Sequence, residues 1–406
     1  MGIVLSHTTA RAVYQTAHSI ARTGIEPLSD AEINQSCPDK ELIENASRWL
    51  VVHSIRLEDE APLEVMVFNR NKGRTLSGCR CHVSSKRFSS SRFIRLDRNL
   101  YVVGIELCAL QAATYLPFRE LVEYYFELCG AYSLGTSSGI DVSYTERPQL
   151  TSTADLKRFF NTLNACDGLI AARKAIKCVR DGCRSPMETA FVMMLTLPKR
   201  DGGLGIRTIE TDYEVKVPSN ARALTRRTKF YMDAYLKRSR TDIEYNGFHH
   251  DTDEGRAIDE ERKNALASMG YGIITISRHS FMRAAPFTRV MEAIQRKEGI
   301  RHSRLPEDFG VKQENLRRFV LRRFTERQRL IEEKRQQDTQ ERHRLDYENA
   351  LLNGVIANTP VDISSHMDGM QYDVRETGIS SETGNDRTEG MVFGSSTEAV
   401  DRTSVD

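Results

Sequence analysis

The stretch FYMDAYLKRSRTDIEYNGFHHDTDEGRAIDEERKNALASMGYGIITI, Phe230 to Ile276, constrains the fold more than any other part of the chain. Its pattern predicts strand, turn, strand, polar loop, helix, strand. The first two strands are joined by a short turn around Arg238–Arg240, so they are expected to pair antiparallel. In the second strand Ile243 and Tyr245 alternate with Glu244 and Asn246. Successive side chains of a strand face opposite ways, which puts the apolar pair on a core and the polar pair on the other side. Asp233 lies in the first strand, within reach of Glu244, and His249 and His250 follow in the polar loop. Carboxylate oxygens clustered at the mouth of a small sheet are the ligands that Mg²⁺ or Mn²⁺ takes. A nearby imidazole suits proton transfer at neutral pH, so the group matches what metal-dependent phosphodiester cleavage requires.

The helix expected from about Glu254 to Met269 carries Asp259 and Arg262 one turn apart, with Leu266 extending the same side. Two roles are open to Arg262: holding the carboxylates of Asp233 or Glu244, or contacting a phosphate. Upstream, Ser185-Pro186-Met187-Glu188 is a helix start, with Ser185 as the cap, Pro186 in the first position and Glu188 at the capping-box position. That helix runs through TAFVMMLTL to Pro198, after which a glycine-rich turn (Gly202, Gly203, Gly205) and an irregular segment lead to the sheet.

An Asp in one strand, Glu244-Tyr245-Asn246-Gly247 in the next, the pair His249-His250, then Asp259-x-x-Arg262-x-x-x-Leu266 before Gly270-Tyr271, resembles the very-short-patch-repair-like endonucleases. These belong to the PD-(D/E)xK restriction-endonuclease-like superfamily, and the resemblance covers roughly 185–300. It implies a mixed α/β fold whose C-terminal half is a restriction-endonuclease-like three-layer core. It also implies a Mg²⁺- or Mn²⁺-dependent DNA endonuclease, with Asp233 and Glu244 as metal ligands. In such enzymes a glutamate on the helix leading into the sheet often adds an acid to the site, so Glu188 has two readings, cap and ligand. The third signature position is usually lysine; here it is Asn246, which brings no positive charge. The resemblance places the general acid or base on a histidine, His250 before His249, with Asp259 and Arg262 in support. The departure at Asn246 keeps a second reading open: a nuclease-fold DNA-binding or regulatory module without hydrolytic activity, of antitoxin-like type.

With 406 residues the chain has room for two domains and extensions. The expected divisions are an α+β domain over 1–150, a helical connector over 151–184, the nuclease-like domain over 185–300, a charged helix over 307–352 and a disordered tail over 353–406. The formal net charge is only +2, so DNA binding would rest on local basic surface. One such surface is the run from Arg70 to Arg98, nine basic residues against the single acid Asp97, with SSKRFSSSR expected as a loop. It reads equally as a phosphate-contacting arm or as a solvated edge that blocks strand pairing. Helical patterns are expected at Thr8–Thr23, Pro38–Leu50, Glu106–Leu116 and Phe118–Cys129, and strands at Leu63–Phe68 and Tyr101–Gly104. A further helix over Ser280–Lys297 is expected to break or kink near Pro286.

The eight cysteines are scattered and no signal peptide is evident, which points to reduced thiols and a cytoplasmic location. Apolar runs are too short to span a bilayer, so no membrane partner is expected. Cys79-Arg80-Cys81-His82 carries ligand-type residues, but no second Cys/His pair follows at zinc-finger spacing. Walker, GxGxxG and GxSxG motifs are lacking, which leaves nucleotide-dependent, dehydrogenase and serine-hydrolase functions without support. The helix over 307–352 has a sparse apolar stripe and interspersed charges. It reads as a solvated helix packed at one end, or as an arm for self-association or a protein partner.

Overall fold

The computed structural model describes residues 2–16, 29–30, 33, 35–57, 61–69, 76–134, 144–246 and 253–352. Five short strands, β1 (Ile3–Leu5), β2 (Leu63–Val67), β3 (Cys79–Val83), β4 (Phe93–Asp97) and β5 (Leu100–Val103), form one sheet of order β3-β2-β1-β5-β4. The central strands are apolar and fully buried, as a strand covered on both faces must be. β1 lies parallel to β5 and antiparallel to β2. Helices α1 (His7–Thr16), α2 (Lys40–Val52), α3 (Ile105–Ala112) and α4 (Phe118–Cys129) accompany the sheet. Their bounds agree with the sequence pattern to within two residues where residues are described, except that α3 ends at Ala112, four residues before the expected Leu116; Arg70, Lys72 and Arg74 of the basic run, and residues 17–23 of the first helical pattern, lie outside the described residues. The remainder of the basic run is not simply a loop. It supplies β3 and β4, the two edge strands, with a 3-10 turn at Ser90–Arg92 before β4.

The passage from β1 into α1 is sharp. His7, the first helical residue, has φ 47°, in the left-handed region that a side chain occupies at a cost on the order of 1–3 kcal/mol. Glu64 from β2 replaces a conventional cap there: its Oε2 accepts from the Thr8 amide at 2.9 Å and the Thr8 hydroxyl at 2.7 Å.

Between 151 and 184 lie α5 (Thr153–Thr162) and α6 (Leu169–Ala175), which give Leu156, Phe160 and Leu169 to the same core as the first sheet. α7 (Pro186–Thr196) is apolar around its whole circumference and correspondingly buried. The glycines after it have a packing reason. Gly202 has φ 95° and lies against the backbone of Lys312, and a side chain on Gly203 would run into Leu197.

β6 (Tyr132–Ser133) and β7 (Thr145–Glu146) form a small antiparallel pair, and the second large sheet consists of β8 (Ile209–Lys216), β9 (Lys229–Leu236), β10 (Thr241–Asn246) and β11 (Gly272–Ser277), in order β11-β10-β9-β8. The segment expected as irregular therefore contains a strand, β8, at the sheet's edge. β8, β9 and β10 run antiparallel, and β11 lies parallel to β10 after the crossover helix α8 (Asp253–Ser268). Ala265 and Leu266 of α8 pack with Phe230, Met232, Tyr235 and Val215 in one cluster. Ala234, Leu236, Ile243 and Ile276 belong instead to the main core, together with Phe281, Phe287 and Met291. The sheet is thus packed through two separate clusters, and Ile243 faces the core as its alternation predicts. Two helices follow, α9 (Arg278–Met282) and α10 (Ala284–Lys297). The break falls at Arg283, not at Pro286; the proline sits in the first turn of α10, where its missing N–H costs no helical hydrogen bond.

α11 (Phe309–Leu352) closes the described chain. Phe309, Leu316, Val320 and Leu321 enter the main core, and Arg322 reaches both oxygens of Glu123 on α4, at 2.9 and 2.6 Å. Contacts divide the chain into a compact unit through Asp338 and a second unit, Thr339–Asp406, of which the structure describes the end of this helix. All eight cysteines are free, and among the described residues no helix is long and apolar enough to cross a membrane. The fold is mixed α/β.

Candidate active site

Asp233, Asp242, Glu244 and Arg262 converge where β9 and β10 pair beneath α8. Ile243 sits opposite Ala234, a register that carries Glu244 alongside Asp233. Asp233 Oδ2 accepts the backbone N–H of Tyr245 at 3.1 Å, which fixes the carboxylate across the ladder. Asp242 lies two residues before Glu244, hence on the same face, and is completely buried. Glu244 is nearly so.

Arg262 reaches this pair from α8. Its Nε donates to Glu244 Oε1 at 2.6 Å, and one terminal nitrogen donates to Asp242 Oδ2 at 3.3 Å and to the Tyr231 carbonyl at 2.5 Å. Of its two expected roles, holding carboxylates is the one seen. Asp242 Oδ1 has no hydrogen-bond partner. Burial raises the Asp242 pKa, the charge of Glu244 raises it further, and Arg262 opposes both. One guanidinium faces two buried carboxyl groups, and the balance favours the protonated form of Asp242.

Glu188 approaches from the start of α7, a helix that packs on β9. Its local role matches the sequence pattern closely. Ser185 Oγ accepts the Glu188 amide at 3.2 Å and donates to Glu188 Oε1 at 2.9 Å. The returning bond comes from the amide of Arg184, one residue ahead of the cap, at 2.8 Å to Oε2. Despite these donors, burial and then the nearby charge of Asp233 push the Glu188 pKa up to about 7. Asp233 is raised as well, first by burial and further by Glu244, against the Tyr245 amide and Arg262. Cap and acidic site group are therefore simultaneous properties of Glu188.

Arg184, whose side chain is 59% exposed, brings a positive charge to bear on Glu188 and Asp233. It pairs with Asp212 at 2.7 Å and lies over the Tyr231 ring. Asp259 sits one turn before Arg262 on α8, as expected. Asn246 ends β10, paired in register with Ser277. Gly247, His249 and His250 lie outside the described residues, so the histidine role is not placed.

Sequence reasoning missed Asp242, although the alternation Asp242-x-Glu244-x-Asn246 contains it. It also passed over Arg184, for which no local pattern speaks. Glu188, Asp233 and Glu244 interact through charge, but they are not among the residues whose ligand atoms all lie within 4.8 Å of one another; His7, Glu64 and His82 are. As a donor set, the half-buried Glu188 and Asp233 with the buried Glu244 fit a hard divalent cation: all are oxygen ligands, and a cation would offset the like-charge contribution to the raised Glu188 and Asp233. Comparison with known proteins finds no matching family model, no matching curated protein and no matching solved structure.

Proposed function

We propose that this chain is a divalent-cation-dependent DNA endonuclease with a restriction-endonuclease-like core formed by α7, β8 to β11 and α8. One observation carries the reading: Glu188 on α7, Asp233 on β9 and Glu244 on β10 lie near one another, and burial first, then the charge of a neighbouring acid, raises Glu188 and Asp233 toward protonation. An isolated surface hairpin with two acids has no such property. The helix, three-strand, helix, strand order of the segment and the position of Glu188 at the helix start support the same reading.

Glu188, Asp233 and Glu244 would hold Mg²⁺ or Mn²⁺. When bound, the ion supplies a Lewis acid for the phosphate oxygens and lowers the pKa of a coordinated water. The protein's own groups do the rest. Arg262 fixes the Glu244 carboxylate and balances Asp242. Arg184, exposed at the rim, is placed to meet a phosphate. His250, with His249 as its alternate, is the proposed proton donor or acceptor. Asn246 is left to hydrogen-bond water, without the charge that a lysine would bring.

A second reading, the non-hydrolytic DNA-binding or regulatory module, is favoured by the occupation of Glu244 Oε1 by Arg262. The two separate in one experiment: incubation of supercoiled and nicked DNA with Mg²⁺ or Mn²⁺, beside Asp233→Ala and Glu244→Ala. Metal-dependent nicking that each substitution reduces at least about 100-fold is the expected result, comparable to losing a principal transition-state interaction. An inert parent that still binds DNA with salt sensitivity would select the regulatory module.

A further inference from the structure

His7, Glu64 and His82 each offer one ligand atom, all within 4.8 Å of one another, the one such group of three His, Cys or carboxylate residues among the described residues. They come from three elements: His7 opens α1, Glu64 lies on β2, and His82 lies on β3, where it pairs with Met66. The two imidazoles stack with centroids 3.6 Å apart. His82 Nε2 is buried 3.5 Å from Glu64 Oε1, too far for a formed hydrogen bond, and has no other partner.

We propose that this triad binds a first-row transition-metal ion, Zn²⁺ before others, through two imidazoles and one carboxylate. The donor set separates it from the carboxylate site on the second sheet: imidazole suits Zn²⁺, whereas Mg²⁺ takes oxygen. Outer contacts of the kind that orient metal ligands are already present. Thr8 holds Glu64 Oε2 by its amide and hydroxyl, and Ser6 Oγ lies 3.0 Å from His7 Nδ1. Arg80 rests on Glu64 Oε1 at 3.0 Å, so the carboxylate keeps a counter-charge beside the ligand position. The His82 side chain is 31% exposed although its Nε2 is buried, so the triad lies close to the surface, where an ion can reach it. The left-handed backbone at His7 is consistent with a residue kept for its ring. The pairing also gives a partner to the His82 of Cys79-Arg80-Cys81-His82, which finds none in local sequence.

The test titrates the chelator-stripped full-length chain with Zn²⁺ by calorimetry, with a thermal melt alongside. One ion per chain is expected, with a melting temperature that rises on binding. His82→Ala and Glu64→Gln should each weaken binding at least about 100-fold, beyond the roughly 10–100-fold that loss of an outer partner brings. Glu188→Gln should leave Zn²⁺ binding unchanged, which keeps this proposal separate from the carboxylate site. Co²⁺ added to the parent gives a readout that needs no variant: an intense visible spectrum reports a low-coordinate site with nitrogen ligands. Absence of saturable Zn²⁺ binding, undiminished binding in a folded His82→Ala protein, or the pale spectrum of hydrated Co²⁺ would each overturn the assignment.

Discussion

Glu64 on β2 and Glu188 on α7 are both withdrawn from water, yet one is held at a pKa of about 2 and the other at about 7. Burial opposes the charge in both. At Glu64 it is overcome by His82 and by the amide and hydroxyl of Thr8, with Arg80 also in contact. At Glu188 the Arg184 amide and Ser185 hydroxyl are outweighed by burial and the charge of Asp233. Depth alone therefore does not set the charge of a buried acid; the count of donors against like-charged neighbours does. The first site is complete in charge without an ion. The second carries an excess that an ion would remove.

Deleting an arginine from each site should sharpen this contrast most. Arg262→Met leaves Asp242 and Glu244 buried with no cation between them, at an expected cost of about 3–5 kcal/mol in the denaturant midpoint. Arg80→Met should cost under about 1 kcal/mol, because the Arg80 side chain is 62% exposed and water replaces its bond. Similar losses from the two variants would break the comparison.

Acid titration probes Glu64 next. Its folded pKa lies below the ordinary 4.5, so its contribution is fully present above pH 4.5 and is lost as pH falls toward 2. The loss should be on the order of 2 kcal/mol after allowance for solvent screening, and Glu64→Gln should lack that part of the acid transition. Glu188 has the opposite sign. Its folded pKa is raised, so stability is greatest below pH 4.5 and declines as pH rises toward 7, where the buried group ionises. Glu188→Gln should therefore gain about 1 kcal/mol near pH 8 without divalent cation, net of the weakened cap, and should flatten that slope. A loss at that pH would mean that the cap outweighs the buried charge. The smallest effect is on cation binding itself. Below about pH 7 the apparent Mg²⁺ affinity, read from thermal shifts, should fall up to tenfold per pH unit as Glu188 takes its proton, and Glu188→Gln should remove that dependence.

The hairpin of β9 and β10, the inward face of Ile243 and the cap at Ser185 were legible because each is encoded within a few residues. Four strands of the two large sheets were not: β3, β4 and β8 lie at sheet edges, and β1 is central but only three residues long. An edge strand meets one neighbour and keeps charge toward solvent, so its alternation is diluted and it resembles a polar loop. Arg80 and His82 on β3, Arg95 and Asp97 on β4 and the mixed charges of Glu210–Lys216 on β8 show this directly. Asp242 was hidden for another reason: a fully buried aspartate is explained only by Arg262, twenty residues away. The neighbourhood of His7 and His82 depends on strand pairing across most of the first sheet, which no local spacing reports.

That same sheet has a consequence for how the chain is made. β1 is synthesised before the other strands of this sheet, yet it lies in the middle, next to β2 and, in parallel, to β5, with Ile3 opposite Leu100. At about 5–20 residues per second, roughly 5–20 s of synthesis separate the two strands of that pair. Through that interval Ile3, Val4 and Leu5 have no second edge to occupy, whereas β8, β9 and β10 pair with sequence neighbours as each emerges. β1 is thus the strand that waits longest for its partner, and the first sheet is where slow growth or a chaperone should most change the yield of native protein.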